Sequence, residues 1–176
     1  MRDRGAESVR DAVQAETRLP EGSEPREACR HRAAGVGERR IAVAESLTGG
    51  NIAAQLSRAP NSGEWFRGGI VAYHEQVKHG LLQVPPGPVV SETSARWMAS
   101  STAELLGADM VVAVTGEAGP QGQERSPGTV WFGVYDRGEV TASKSEFDGE
   151  PEQIVADTAI GALRIFVEHV CPSTSG

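Results

Sequence analysis

Strand-like and helix-like segments alternate along the chain from Ile41 onward, and this alternation constrains the fold more than any other feature. Short apolar segments are typical of buried strands, whereas apolar residues spaced three and four apart are typical of helices. Crossovers between the early strands predict parallel pairing, and the turn Asp136–Glu139 predicts a hairpin between the last two. We therefore expect a mixed sheet with helices on both faces. The predicted strands are Ile41–Glu45, Gly69–Tyr73, Met110–Thr115, Thr129–Tyr135 and Val140–Phe147, and the predicted helices are Gly50–Arg58, Glu75–Leu82, Ser91–Leu106 and Glu152–Val170.

Residues 1–40 differ from the rest of the chain, because they are rich in Arg, Glu, Ala and Gly and contain few large apolar residues. Such a segment cannot bury an apolar face, so we expect a poorly ordered N-terminal extension. Residues 41–171 are then expected to form one domain, which is long enough for a hydrophobic core, and residues 172–176 a short tail.

Composition argues against several classes of function. The formal net charge is −7 and only 5% of the residues are aromatic, which disfavours a nucleic-acid surface. No apolar run reaches the roughly 20 residues of a membrane span, and the N-terminus lacks the apolar core of a secretory signal. Cys29 and Cys171 lack metal-ligand spacing, which is typical of free thiols in a cytoplasmic protein.

The run Ala44–Gly50, with the sequence Ala-Glu-Ser-Leu-Thr-Gly-Gly, lies between a predicted strand and a predicted helix. Glycines let the backbone approach a ligand, and a helix start offers unpaired N–H groups with the positive end of its dipole. Ser46 stands at the carboxyl end of the strand, where open α/β sheets usually bind small molecules. The structural alternative is that Ser46 and Thr48 cap the helix and the glycines form a tight turn.

Together with this run, four later segments resemble the CinA C-terminal domain family, whose stand-alone members include nicotinamide-nucleotide amidases of the PncC type. Each segment alone is weakly specific, but their order and spacing match from Ile41 to about Val167. The resemblance implies a three-layer α/β/α fold with a mixed, mostly parallel five-stranded sheet. The four segments are Gly69–Tyr73 with Lys78, Val90–Glu92, Thr115–Pro120 and Gly128–Trp131.

The resemblance also implies an activity. Amidases of this family hydrolyse the carboxamide of nicotinamide mononucleotide to nicotinate mononucleotide and ammonia, a reaction of pyridine nucleotide salvage in NAD metabolism. The implied substrate is a small-molecule nucleotide, no metal or other cofactor is implied, and the implied assembly is a homodimer or larger homo-oligomer.

Amide hydrolysis needs a nucleophile, a base that activates it and donors for the oxyanion. No Cys lies in the matching segments and no His–Asp pair is placed for a triad, so Ser46 with Lys78 as its base is the economical choice. A lysine serves as a base only where burial or a neighbouring cation lowers its pKa. Tyr73 is predicted as a proton relay or orienting group. Taken alone, Lys78 would instead be interpreted as a solvated surface lysine.

The predicted substrate contacts fall into two groups. Backbone N–H groups of the first group form a cradle for the oxyanion or the phosphate, and the second group lines the nucleotide pocket. Glu45 and Glu92 are interpreted as helix-end charges rather than partners of Lys78. The first group is Thr48, Gly49 and Gly50, and the second is Thr115, Gly116, Ala118, Gly119 and Pro120.

The match to the family is incomplete in the loops expected to face the substrate. His74 and Glu75 stand where the family usually has a small polar residue and Asn, and Gln123 stands where a glycine is expected. Pro151 and Val155 follow a Phe-Asp-Gly motif after which the family commonly has arginines, so a bidentate phosphate partner is missing. Two alternatives stay open: a CinA-like protein that binds a nucleotide or a partner without hydrolysis, and a serine/lysine amidase for a substrate without phosphate.

Overall fold

The computed structural model describes residues 39–59, 61–119 and 128–170, in which five strands and five helices follow one another. None of the helices in these ranges is both long enough and apolar enough to cross a membrane. The strands are β1 (Ile41–Glu45), β2 (Phe66–Val71), β3 (Met110–Gly116), β4 (Thr129–Asp136) and β5 (Glu139–Glu146). The helices are α1 (Asn51–Arg58), α2 (Ser62–Trp65), α3 (Glu75–Gly80), α4 (Glu92–Leu106) and α5 (Pro151–Val170).

The five strands form one sheet in the order β2-β1-β3-β4-β5. β1 pairs in parallel with both β2 and β3, whereas β3 with β4 and β4 with β5 pair antiparallel. Four strands therefore run in one direction and β4 alone opposes them, which confirms the mixed, mostly parallel sheet. The hairpin is also confirmed, because Arg137 and Gly138 have φ values of 50° and 97°, the left-handed pair that a two-residue turn requires.

The two faces of the sheet carry side chains of different size, and this difference sets how closely the helices approach. On one face, large side chains pack against α1, α2 and α5. On the opposite face, which we call the α4 face, small side chains face α4 and the segment that follows α3. The large residues of the strands are Ile41, Val43, Met110, Val112, Val114, Val130, Phe132 and Val134, and the small ones on the α4 face include Ala42, Ala44, Ala113 and Gly133.

The largest difference from the predicted elements is at β2. The strand was predicted over Gly69–Tyr73 but spans Phe66–Val71, and α2 before it was not predicted. The cause lies in the two glycines of this edge strand: Gly68 has a φ of 118°, and the pairing with β1 shifts register at this point. Glycines mask the apolar alternation by which a strand is recognised.

The predicted N-terminal extension and C-terminal tail lie outside the described residues, except for Arg39 and Arg40. The guanidinium of Arg40 donates two hydrogen bonds to Asp109, at 2.6 and 2.9 Å, and that of Arg39 donates to Asp136 at 3.2 Å. Both pairs lie at the end of the sheet where β1 and β3 begin. The glycine turn that follows β1 lies at the opposite end.

Candidate active site

Ser46 is the first residue after β1, and a tight turn leads from it into α1. The amide of Gly49 donates to the carbonyl oxygen of Ser46 at 3.1 Å, which closes the turn. Gly49 and Gly50 have φ values of 59° and 103°, a conformation that glycine adopts without the strain that a side chain would add. The turn holds Ser46 at 5% exposure at the carboxyl end of β1.

The carboxylate of Glu45 is fully buried beneath this turn and accepts four hydrogen bonds. Its charge lies at the amino-terminal end of α1, where the helix dipole favours an anion. The interpretation of Glu45 as a helix-end charge thus agrees with these contacts. The donors are Thr48 Oγ1 at 2.6 Å, Gly50 N at 3.0 Å and Ile52 N at 3.2 Å, all to Oε2, and Ala53 N at 2.8 Å to Oε1.

Lys78 lies on the short helix α3, and its side chain is buried, with 3% exposure. Its Nζ donates to Oγ1 of Thr115 at 3.0 Å, and the hydroxyl of Thr115 donates to the carbonyl oxygen of Val89 at 2.7 Å. The interpretation as a solvated surface lysine is therefore wrong. Three segments that are distant in sequence meet here: α3, the end of β3 and the loop before α4.

The register of the sheet predicts the position of Ser46 relative to this cluster. In the parallel pair, Ile41 lies opposite Met110 and Ala44 opposite Ala113, and the same offset, extended two residues beyond the last pair, predicts Ser46 level with Thr115. Neighbouring strands are about 5 Å apart. Continued one residue past Glu45, where β1 ends, the alternation of the strand predicts that Ser46 faces the same side as Ala44. Extended in this way, the register predicts Ser46 on the face of the sheet where Lys78 of α3 contacts Thr115, at the carboxyl ends of β1 and β3.

Tyr73 is placed differently, because its side chain is 72% exposed two residues beyond the end of β2. No hydrogen bond connects it to the cluster within the described residues, and its role as a relay stays a prediction. His74 beside it caps α3, since its Nδ1 accepts from the amide of Gln76 at 3.2 Å. Glu75 is exposed in the first turn of that helix.

The other residues predicted to contact substrate divide into packed and open positions. Gly116 is packed, because a Cβ there would lie 2.7 Å from the carbonyl oxygen of Thr129. Ala118 is half-buried against the core on the α1 and α5 side. Among the described residues, the atom nearest to an added Cβ at Gly119 is Oε1 of Glu117, at 3.7 Å. Pro120 and the loop that follows it to residue 127 lie outside the described residues.

The turn after β1 offers fewer amides than the sequence suggested. The amides of Gly49 and Gly50 already donate inside the chain, to Ser46 and to Glu45. In the described part of the chain, Gly49 is the first residue of the turn whose amide donates a hydrogen bond. The amides of Leu47 and Thr48 before it have no acceptor there and could therefore donate to a ligand. The hydroxyl of Thr48 is also used internally. No sequence signal identified the carbonyl of Val89 as the partner of Thr115, because that contact joins residues 26 positions apart.

A three-layer α/β domain with a buried serine, lysine and threonine at the carboxyl ends of two parallel strands has the groups needed for nucleophilic chemistry at that edge. The chain belongs to the CinA C-terminal domain family, whose model matches residues 26–170. The match begins within the segment predicted as an extension.

Individual relatives agree with this assignment. A CinA-like protein from Synechocystis sp. is 46% identical over 103 residues, 54% of this chain and 25% of that relative. A nicotinamide-nucleotide amidohydrolase PncC from Enterobacter agglomerans is 37% identical over 141 residues, 73% of this chain and 86% of that relative. A crystal structure of competence damage-inducible protein A from Klebsiella pneumoniae aligns with a TM-score of 0.75 and 30% identity, covering 96% of this chain and 98% of that one. The chain thus spans about a quarter of the Synechocystis relative but most of the PncC protein.

Proposed function

We propose that the protein is an amidohydrolase that converts nicotinamide mononucleotide to nicotinate mononucleotide and ammonia, with Ser46 as nucleophile and Lys78 as base. The observation that carries the proposal is the buried Nζ of Lys78, held by Thr115 on the face of the sheet to which β1 directs Ser46. The substrate class is supported by the similarity to PncC proteins. The alignment with the PncC protein from Enterobacter agglomerans covers 73% of this chain.

The hydrogen-bond directions suit Lys78 for the role of a base. Because the hydroxyl proton of Thr115 is directed to the carbonyl of Val89, its oxygen acts as the acceptor of a proton of Lys78. Burial favours the neutral form of an amine, which has a lone pair to take a proton. With one N–H directed to Thr115, the orientation of that lone pair is restricted, and in the proposed mechanism it accepts the hydroxyl proton of Ser46.

In the proposed reaction, Oγ of Ser46 bonds to the carboxamide carbon while its proton passes to Lys78, and the carbonyl oxygen becomes an oxyanion. The intermediate then collapses: the C–N bond breaks, the proton on Lys78 goes to the leaving nitrogen, and ammonia departs. Water attacks the resulting ester, Lys78 moves a proton from the water to Oγ of Ser46, and the carboxylic acid is released.

The amides of Leu47 and Thr48 are proposed as donors to the oxyanion. They are the amides of the turn that do not donate inside the described part of the chain, and they directly follow the nucleophile. Donors fixed in this way stabilise the charge that develops in the transition state, and removal of one such donor typically costs about 100- to 1,000-fold in kcat.

Ammonia release from nicotinamide mononucleotide tests this proposal. We expect turnover by the wild-type chain, loss of at least about 1,000-fold in Ser46→Ala, and unchanged turnover in Ser57→Ala. Ser57 is a matched control, since its residue is exposed on α1 and, among the described residues, its hydroxyl donates to the carbonyl of Ala54 and has no other hydrogen bond. Full turnover by Ser46→Ala would exclude the serine mechanism.

A parallel assay with the dephosphorylated substrate, nicotinamide riboside, separates the open alternatives. Position 151 holds Pro and position 155 holds Val, both on α5, so neither supplies a guanidinium for a phosphate. Hydrolysis of the riboside but not of the mononucleotide would replace the proposed substrate with a phosphate-free amide. No hydrolysis of either by folded protein would favour a binding protein.

A further inference from the structure

We propose that Glu45 is a positioning residue for the Ser46 nucleophile. This inference rests on the proposed role of Ser46. Glu45 does not face the reaction: along β1 it points to the side of Ile41 and Val43, whereas Ser46 follows the alternation toward the α4 face. Its action is exerted through the backbone of the turn that carries the serine.

The geometry of the contacts indicates what Glu45 holds. The carboxylate is covalently attached to the last residue of β1, and its four donors lie on the turn and on the first residues of α1. It therefore fixes the end of the strand to the start of the helix on the side opposite the nucleophile. The five residues between these anchor points, Ser46–Gly50, include two glycines with positive φ, which alone would give the turn considerable conformational freedom.

The same contacts determine which amides remain for a ligand. By accepting from Gly50, Ile52 and Ala53, the carboxylate occupies the N-terminal amides of α1 that a phosphate or an oxyanion would otherwise bind. The amides left over are those of Leu47 and Thr48, directly after the nucleophile. Glu45 thus directs the oxyanion to these two amides and keeps the helix end closed to a second anion.

Replacement of Glu45 by Gln tests the proposal at nearly constant size. One carboxylate oxygen becomes an NH2 group, which then faces backbone N–H donors, so at least one hydrogen bond is replaced by a donor–donor contact. The charge at the helix end is lost as well. We expect kcat to fall about 10- to 100-fold with KM nearly unchanged, since misplacement of a reacting group by 1 Å can cost about 100-fold.

A purely structural role would lower stability without changing kcat, and Asp109→Asn is the control for it. Asp109 is also a carboxylate that accepts several hydrogen bonds, but it lies at the opposite edge of the sheet. Both variants are expected to lower the Tm. The kcat is then measured well below the Tm of each variant, where the protein is folded, and under these conditions only Glu45→Gln is expected to have a lower kcat than the wild type. Thr48→Val removes one donor to Glu45 and keeps the charge, so it tests the same contact if Glu45→Gln does not fold.

A second readout makes the test independent of the substrate. A fluorophosphonate reacts with an activated serine: Oγ bonds to phosphorus, fluoride leaves, and the hydroxyl proton passes to the base and then to solvent. Intact-mass spectrometry measures the rate, with Ser46→Ala as the blank. We expect Glu45→Gln to be labelled at least about 10-fold more slowly than wild type and Asp109→Asn at the wild-type rate.

The outcomes separate this inference from the proposed function. Labelling of the wild type without turnover of nicotinamide mononucleotide would overturn only the substrate. Equal labelling rates and equal kcat in wild type and Glu45→Gln would overturn the role of Glu45. Absence of labelling in the wild type would overturn Ser46 as an activated nucleophile and this inference with it.

Discussion

The hydroxyl of Thr115 acts on both of its neighbours, as an acceptor from Lys78 and as a donor to the carbonyl of Val89. The sequence indicated Thr115 only as part of a pocket lining, yet its buried position on β3 makes it a partner of the proposed base. A buried ammonium or amine without such a partner is costly, so this single side chain influences both the stability and the chemistry of the site.

Replacement of Thr115 by Val keeps the shape of the side chain and removes its hydroxyl. We expect kcat to fall at least about 10-fold, because Lys78 loses an acceptor that helps to orient it and the carbonyl of Val89 loses the hydroxyl donor at 2.7 Å. Thr115→Ser, which keeps the hydroxyl, is expected to retain more of the activity. Thr141→Val, on the exposed strand β5, is the matched control, and steady-state ammonia release is the measurement. Equal kcat for Thr115→Val and wild type would contradict the orienting role.

The sequence predicts some residues of the site better than others, and the reason is the distance of the contacts along the chain. Ser46 was predictable, because the strand and glycines that position it are adjacent in sequence. The burial of Lys78 was not, since it depends on a contact with a residue 37 positions away. The use of the Gly50 amide by Glu45 could have been suspected, because an acidic residue so close to a helix start is typical of a helix-end charge.

At the scale of elements, close contact between α4 and the sheet depends on small side chains. An added Cβ at Gly133 of β4 would lie 2.1 Å from the carbonyl oxygen of Ala95 and 2.5 Å from its carbon. These are backbone atoms of α4, so a larger residue can be accommodated only if the helix or the strand moves. The loop before α4 carries Val89, and a shift of this helix therefore also displaces one end of the hydrogen-bond chain at the site.

Gly133→Ala is expected to destabilise the fold by about 3 kcal/mol, the upper end of the usual cost of overpacking. For a domain of this size such a loss lowers the Tm by roughly 6–12 °C. Gly63→Ala on α2 is the matched control, because apart from its chain neighbours and the backbone of its own helix no described atom lies within 4 Å of the added Cβ. There the Tm should stay the same or rise slightly, since alanine is the better helix former. Thermal unfolding followed by circular dichroism measures both, and equal shifts would contradict the packing argument.

The elements themselves were largely predictable. Where one face of an element is buried, apolar residues recur every three or four positions in a helix and every second position in a strand. The helix predicted over Ser91–Leu106 spans Glu92–Leu106 with Ser91 as its cap, its hydroxyl accepting from the amide of Ser94. The edge strand β2 was harder to predict, since its sequence Phe-Arg-Gly-Gly-Ile-Val does not alternate apolar with polar residues, although burial along the strand does alternate. Strand order was beyond the local pattern, because pairing between β1 and β3 joins residues 69 positions apart.

At the scale of the whole molecule, the ion pair between Arg40 and Asp109 and the candidate active site lie at opposite ends of the strands. Asp109 joins β3 to the residues that precede β1: it accepts from the backbone and the guanidinium of Arg40, and its own amide donates to the carbonyl of Arg40. Hydrogen bonds from the Arg40 side chain are the largest cause that lowers the pKa of Asp109, to about 2 from its ordinary 3.8. The start of the domain is therefore stabilised by a charge-dependent contact that is remote from Ser46.

The sign of this shift predicts how stability depends on pH. A carboxyl group with a lowered pKa in the folded state contributes its full stabilisation above the unfolded value near 3.8, and the contribution disappears as the pH falls toward 2. We expect urea unfolding to give wild type a free energy of unfolding about 1 kcal/mol above that of Asp109→Asn at pH 6, as for a partly exposed ion pair. The difference should shrink between pH 4 and pH 2 and should be smaller in high salt. A difference that stays constant down to pH 2 would mean that the contact acts through packing rather than through the charge of Asp109.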